Sequence, residues 1–295
     1  MSSSRVVRYF AVPSDLAEAA EAAGSTPPAA AKSASTVMVV RDAEAGASGV
    51  EVFMLRRRSS MAFAPNRWVF PGGGVDARDR DDDLPWAGPS PSQWAAWLGA
   101  EDEAQARELV VAAAREVFEE CGVLLAGPDA ESVVGDVSGA EWEAERDRLL
   151  SREQSFAELL VRRGFVLRTD LMRPWAHWVT PEFEPRRYDT RFFAALVPEG
   201  QTPDDRTTEA DSSEWVQARV LLEQYEQGTA EMLPPTVVCV EQVAAATDAD
   251  EFFASAPPMG RVMPTIERDG DGARLRMEIP VHAGEVQEQA EQERA

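Results

Sequence analysis

Apolar positions along this chain follow two periods. Short β-prone runs sit between turn markers, and longer stretches repeat an apolar residue every three or four positions. Residues 36–40 (Thr-Val-Met-Val-Val) and 50–55 (Val-Glu-Val-Phe-Met-Leu) are of the first kind, with Gly46 and Gly49 between them. Together they predict a β-hairpin. Residues 68–70 predict a brief strand that stops at Pro71-Gly72-Gly73-Gly74. Further strands are predicted over 123–125, 175–180, 188–197 and 213–216. Helical spacing runs from about Glu103 to Cys121, with Gly122 placed to end it. Residues 139–163 also read as helical. Another helix runs from the strand at 213–216 to about Gln227, and Pro234-Pro235 opens a last one to about Ala246.

The segments between have their own character. Residues 13–35 are rich in Ala, Pro, Ser and Glu and read as a short helix and a linker. Residues 76–102 hold an Asp/Arg run, three prolines, Trp94 and Trp97, and read as an inserted loop with one short helix. Residues 261–280 predict a hairpin around Asp269-Gly-Asp-Gly272. The last dozen residues are charged and predicted to be disordered. No internal repeat is found. The mixture of strands and helices places the fold in the α/β (α+β) class.

Composition narrows the chemistry. The chain has 295 residues, is 44% hydrophobic and has a formal net charge of −23. Its mean hydropathy is −0.31. No apolar run reaches the roughly 20 residues that span a bilayer, and the first residues lack a signal-peptide pattern. The expectation is a cytoplasmic protein. The charge repels nucleic acid and anionic membranes, so neither is expected as a partner. Two cysteines, Cys121 and Cys239, are too few for a disulfide framework, and two histidines are too few for a His-rich metal cluster. Any metal is expected on oxygen ligands. A single lysine, Lys32, among many arginines and alanines resembles the codon bias of a GC-rich bacterial genome.

The chemically informative stretch is residues 115–123, Arg-Glu-Val-Phe-Glu-Glu-Cys-Gly-Val. On a helix, Glu119 lies about 60° to one side of Glu116 and Glu120 about 40° to the other. The three carboxylates share a face, while Val110, Ala114, Val117 and Cys121 form the opposite, packing face. Like charges at this spacing repel, and a divalent cation would relieve the repulsion. Carboxylate oxygens are the ligands that Mg2+ and Mn2+ prefer.

Taken together with Phe70-Pro71-Gly72-Gly73, these residues resemble the signature of the Nudix superfamily. Every fixed position of its second half matches from Arg115 to Val123. The family's spacing between glycine and arginine is short. Here 42 positions separate Gly73 from Arg115, so the segment at about 76–102 is an insertion inside the signature. Arg107 stands where the pattern has the glutamate that braces the arginine. Glu108, Glu103 and Asp102 are the candidates to replace it. A branch with such an insertion includes a mammalian peroxisomal coenzyme A diphosphatase. It is also similar to this chain in Trp178-Val-Thr-Pro181, Arg186-Arg-Tyr-Asp-Thr-Arg-Phe-Phe193 and Leu233-Pro-Pro-Thr236, so the resemblance covers about residues 35–245.

The resemblance implies an α/β/α sandwich on a mixed sheet, with the insertion and extra helices added. The division it suggests is an N-terminal helix and linker (1–34), a hydrolase domain (35–260), a terminal hairpin (261–283) and a tail (284–295). It implies hydrolysis of a small-molecule nucleoside diphosphate derivative with Mg2+ or Mn2+. Glu116, Glu119, Glu120 and the carbonyl of Gly72 would be metal ligands, and Arg115 would steer a glutamate. Glu209 is the first candidate for the general base, Asp211 the second, and Glu120 or Glu116 the others. Arg58, Arg186, Arg187 and Arg191 are candidates to grip phosphates, since guanidinium binds them bidentately. Coenzyme A or an acyl-CoA leads the substrate list. ADP-ribose, a dinucleotide, a nucleoside triphosphate, and a sensor that binds without cleaving remain alternatives, and a homodimer stays open. His177 reads as structural, Trp94 and Trp97 as local core, and Cys121 as inert.

Overall fold

A split hairpin organises the central sheet. The computed structural model describes residues 4–12, 20, 27–44, 48–59, 65–204, 206, 210–269 and 272–282. β2 (Lys32–Asp42) and β3 (Val50–Arg57) pair antiparallel only near their turn, from Val40 opposite Val52 to Asp42 opposite Val50. Beyond that they part. β4 (Trp68–Val69) pairs with Leu55 and Arg56 of β3, and β5 (Gly72–Gly74) pairs with residues 34–36 of β2. The glycine loop is wedged into the fork, so the strand expected to stop at Pro71 resumes immediately after it. Three glycines carry no strand propensity of their own; the open edge of β2 makes the strand. Phe70 anchors the wedge, buried edge-on against Phe192, and the Pro71 carbonyl accepts from the Val37 amide at 2.8 Å.

The sheet continues as β11 (Ala210–Gln217), β3, β2, β10 (Tyr188–Leu196), β9 (Met172–Val179) and β12 (Arg261–Val262). β10 runs parallel to β2 and antiparallel to β9, so the sheet is mixed. Alternation along β2 sorts the two layers. Val37 and Val39 face the helices α1 (Pro91–Leu98), α2 (Glu103–Cys121), α3 (Ala140–Leu150) and α4 (Phe156–Arg163). Met38 and Val40 face α5 (Ala218–Glu226), α6 (Pro234–Ala245) and α7 (Ala249–Ala254). Burying one such side chain contributes roughly 1.5–3 kcal/mol, so a one-residue slip, which would exchange both faces, is disfavoured. The result is the expected α/β/α arrangement.

Three other expectations change. Residues 123–125 are not a strand. They form a buried loop whose backbone is satisfied by a side chain: the Gln201 amide accepts from Leu124 N–H at 2.8 Å and donates to the Leu124 carbonyl at 3.0 Å. The short strand comes next, as β7 (Ala126–Gly127). Residues 139–163 divide into α3 and α4, because Ser155 and Glu158 form a capping box that starts a new helix. The insertion is a built piece rather than a loop. It holds a 3₁₀ turn (Ala77–Arg80), β6 (Trp86–Ala87) and α1, and β6 joins β7 and β8 (Val166–Arg168) in a small second sheet.

A third sheet joins the first and the last of the described strands. β1 (Ser4–Ala11) pairs antiparallel with β14 (Gly272–Val281), which pairs with β13 (Thr265–Asp269) as the expected hairpin. Met277 and Ile279 pack into the same core as α6. The helix expected after residue 13 and the terminal tail fall largely or wholly outside the described residues. Among the described residues, no helix is long and apolar enough to cross a membrane.

Candidate active site

α2 carries the site because both its ends are fixed. Asp102 caps it by accepting from the Gln105 amide at 2.8 Å, and Gly122 closes it in the left-handed region at φ 71°. Its packing face is buried throughout, from Val110 to Cys121. Its acidic face is turned towards β5. Glu120 Oε2 accepts from the Gly72 amide at 2.6 Å. Gly73 comes closer to the helix than any other residue type could: an added Cβ would lie 2.5 Å from Glu116 Oε1. At Gly72 a Cβ would lie 2.3 Å from Thr36 Oγ1 and 2.4 Å from the Ser35 carbonyl oxygen. One glycine lets the loop lie against the sheet, and the next lets it lie against the carboxylate.

Arg115 is buried among anions. Its Nε and Nη2 donate to Asp79 at 2.8 and 3.0 Å, Nη2 also to the Gly74 carbonyl at 3.1 Å, and Nη1 to Glu116 and Glu119 at 2.8 and 3.0 Å. The brace is therefore Asp79, from the insertion, and not Glu108, Glu103 or Asp102. Burial alone would lower the Arg115 pKa, but its bond to Asp79 and the charges of Glu116, Asp79 and Glu119 raise it well above the ordinary value. Burial is also the main reason that Glu116 is pushed up to about 7, with Arg115 pulling it down and Glu119 adding to the rise. Glu119 is raised for the same leading reason.

These residues fit a hard divalent cation by donor type, since every candidate ligand is oxygen. Crowded, partly desolvated carboxylates with raised pKa values are also what such a cation would stabilise in ionised form. As placed, Glu116 and Glu119 turn to Arg115 and Glu120 to the Gly72 amide. Among the described residues, no three acidic, histidine or cysteine side chains close around one point. Ligation by all three glutamates requires side-chain rotation.

The remaining candidates are dispersed. Glu209 lies outside the described residues. Its flanks do not: the Asp204 amide donates to the Cys121 carbonyl at 3.0 Å, next to Glu120, and Ala210 pairs with Arg57. Asp211 is exposed, 3.8 Å from Arg58, and Arg58 Nε donates to the Ala210 carbonyl. Arg186 is exposed. Arg187 is buried and donates to the carbonyls of Thr180, Pro181 and Ala29. Arg191 is buried, donating to the Leu98 carbonyl at 3.0 Å and pairing with Asp189. These two arginines clip chain segments together, and their placement gives no support to the phosphate role expected of them. His177 bonds Asp189 at 2.8 Å, Trp94 is fully buried against Phe193, and burial raises the Cys121 thiol far above its ordinary value. A cavity of about 1000 Å3 opens between α1, β9 and residues 256–261, walled by Trp97, Arg173, His177 and Arg261 among others. No residue of the acidic face lines it.

The family pattern of the NUDT19 Nudix domain matches residues 21–243. The chain belongs to this family. Among curated proteins, this Nudix domain is 27% identical over 208 residues to putative nudix hydrolase 7 of Caenorhabditis elegans, covering 68% of the chain and 57% of that protein. It is 22% identical to acyl-coenzyme A diphosphatase NUDT19 of Xenopus laevis, covering 76% of the chain and 69% of the relative. For the human protein of that name the identity is 25%, with coverage of 75% and 67%. These relatives are animal proteins and lend no support to a bacterial source. Among solved structures, a Nudix hydrolase from Alicyclobacillus acidocaldarius superposes with a TM-score of 0.62 at 28% identity, covering 76% of this chain and 96% of that one. The chain thus spans little more than half the length of the nematode relative.

Proposed function

We propose that this Nudix domain hydrolyses a nucleoside diphosphate linked to a second group, with coenzyme A or an acyl-CoA as the leading substrate. The observation that carries the reading is the contact of the Gly72–Gly73 loop with Glu116 and Glu120 on a helix whose Arg115 is braced on both sides. The names of the Xenopus and human relatives support the substrate.

Glu116, Glu119 and Glu120, with the Gly72 carbonyl, are proposed to hold Mg2+ or Mn2+. Bound there, the cation would offset diphosphate charge and lower the pKa of an attacking water. The chain's own groups do the rest. Arg115 is proposed to orient Glu116 and Glu119. Glu209 is proposed as the proton acceptor, because its loop is tethered at Asp204 beside the end of α2. Arg58 and Arg186, whose positions leave them open to solvent, are proposed to meet the phosphates. The division into a hydrolase domain at 35–260 with flanking segments is kept as part of this reading.

A hydrolysis screen with Mg2+ or Mn2+ over coenzyme A, acyl-CoA, ADP-ribose, NADH and nucleoside triphosphates tests it. Glu119→Gln and Glu120→Gln are expected to lower turnover by orders of magnitude with circular dichroism unchanged. Full activity in the double variant would overturn the ligand assignment. Absence of turnover on every substrate would overturn the hydrolase reading in favour of a binding role.

A further inference from the structure

We infer that the cavity between α1, β9 and residues 256–261 is a second binding site, for an organic phosphate that carries a flat ring. The inference goes beyond the hydrolase reading and does not rest on it. The cavity takes in residues 96–99, just ahead of α2. Glu116 lies 13 positions after Glu103, where that helix starts, or about 20 Å along its axis. The cavity is therefore separate from the acidic face. Its volume of about 1000 Å3 is at the upper end of the range that takes small molecules.

The charge of this cavity runs against that of the chain. The formal net charge is −23, yet Arg173 and Arg261 both wall the cavity, and among the described residues neither is paired with a carboxylate. Arg173 donates to the carbonyls of Asp170 at 3.0 Å and Met172 at 2.9 Å and stands 4.4 Å from the Phe253 ring centre. These contacts hold the guanidinium without neutralising it. Arg261 Nη2 donates to the Met263 sulfur at 3.6 Å. Asp170, on the same wall, is already taken by Arg168 through bonds of 2.8 and 2.7 Å. Asp189, bonded to the wall residue His177, is shared with Arg191. Guanidinium groups in this state suit a phosphate. Trp97 sets the second requirement. It is 40% exposed, and its ring is fixed edge-on against the buried Trp94, with centres 5.3 Å apart at 79°. The end of α1 is tied to the sheet, because Arg191 Nε donates to the Leu98 carbonyl at 3.0 Å. An indole held open on a cationic wall is a platform on which a base can stack.

The test uses the whole chain in EDTA, with ADP as the probe. Without a divalent cation the carboxylates of the acidic face repel a diphosphate, so binding under these conditions reports the cavity. Titration calorimetry is expected to show saturable binding of ADP, with adenosine and inorganic phosphate each weaker by about tenfold or more. The double substitution Arg173→Gln and Arg261→Gln should weaken ADP about tenfold or more, the loss of roughly one charge-assisted contact. Trp97→Ala should weaken it about fivefold or more, with circular dichroism unchanged in both variants. Photolabelling of the parent protein with 8-azido-ADP should mark the peptide that holds Trp97 or the one that holds residues 256–261. That mapping decides the location even if a variant does not fold. The proposal is overturned if ADP does not bind saturably in EDTA, if labelling is confined to other peptides, or if folded variants bind as the parent does. Laurate binding as tightly as ADP would overturn the flat-ring requirement. None of these readouts depends on turnover, so a protein that cleaves nothing leaves the test intact.

Discussion

Replacing Gly73 by alanine should separate catalysis from folding. The added Cβ would sit 2.5 Å from Glu116 Oε1 and 2.7 Å from its Cδ. To restore ordinary contact at 3.4 Å, the carboxylate oxygen must retreat by about 0.9 Å. The obstacle is the far end of a flexible side chain, so the retreat costs the fold little. A displacement of about 1 Å at a reacting site costs on the order of 100-fold in rate. Gly73→Ala is therefore expected to keep its melting temperature within about 3 °C and lose about 100-fold in kcat. Gly72→Ala makes the contrast. Its Cβ meets the Ser35 carbonyl at 2.4 Å and Thr36 Cα at 2.6 Å, which are backbone atoms of β2. Overpacking of that kind costs about 1–3 kcal/mol, a drop of roughly 2–12 °C for a domain of this size. Calorimetry and steady-state kinetics on both variants decide the matter. Wild-type kcat in Gly73→Ala would refute the claim that the loop's approach to Glu116 matters to the reaction.

Two further outcomes follow from the same geometry. The Glu116 pKa is raised on folding, so the native state binds a proton that the unfolded chain releases earlier. The stability from this group is full below its ordinary pKa and is lost as pH rises towards about 7. With metal chelated, the melting temperature of the parent should fall more steeply between pH 5 and 7 than that of Glu116→Gln; parallel curves would contradict the burial of this carboxyl. Arg187→Ala removes three bonds to backbone carbonyls and should cost about 2 kcal/mol, seen by thermal melts, with KM within twofold. A tenfold rise in KM at unchanged stability would return Arg187 to the substrate site.

The legible parts of the sequence were those in which a local signal and the tertiary answer agree. α2 announces itself by its period, by Asp102 and by Gly122, and the 36–40 and 50–55 runs lie in neighbouring strands that pair beside their turn. The arginine at position 107 showed that a brace was missing. Its replacement could not be read, because Asp79 reaches Arg115 across 36 positions and only the packed insertion brings them together. β5 was illegible for a different reason: its strand character belongs to the edge of β2. At 123–125 the apolar run reported burial correctly, but a side-chain amide from Gln201 replaced the neighbouring strand. Arg187 and Arg191 carried a motif's promise of phosphate binding and turned out to face carbonyls and Asp189.

The pairing of β1 with β14 also sets an order of events during synthesis. Ser4 meets Val281, so β1 must wait until β14 has been made. Until then its edge is open, and open edges invite pairing with other chains. Arg5 and Arg8 interrupt its apolar alternation, a charge pattern that discourages such pairing. Closing so long a loop also makes this contact a slow one to form. The β1–β14 corner is thus expected to assemble well after α2 and its glycine loop have found each other.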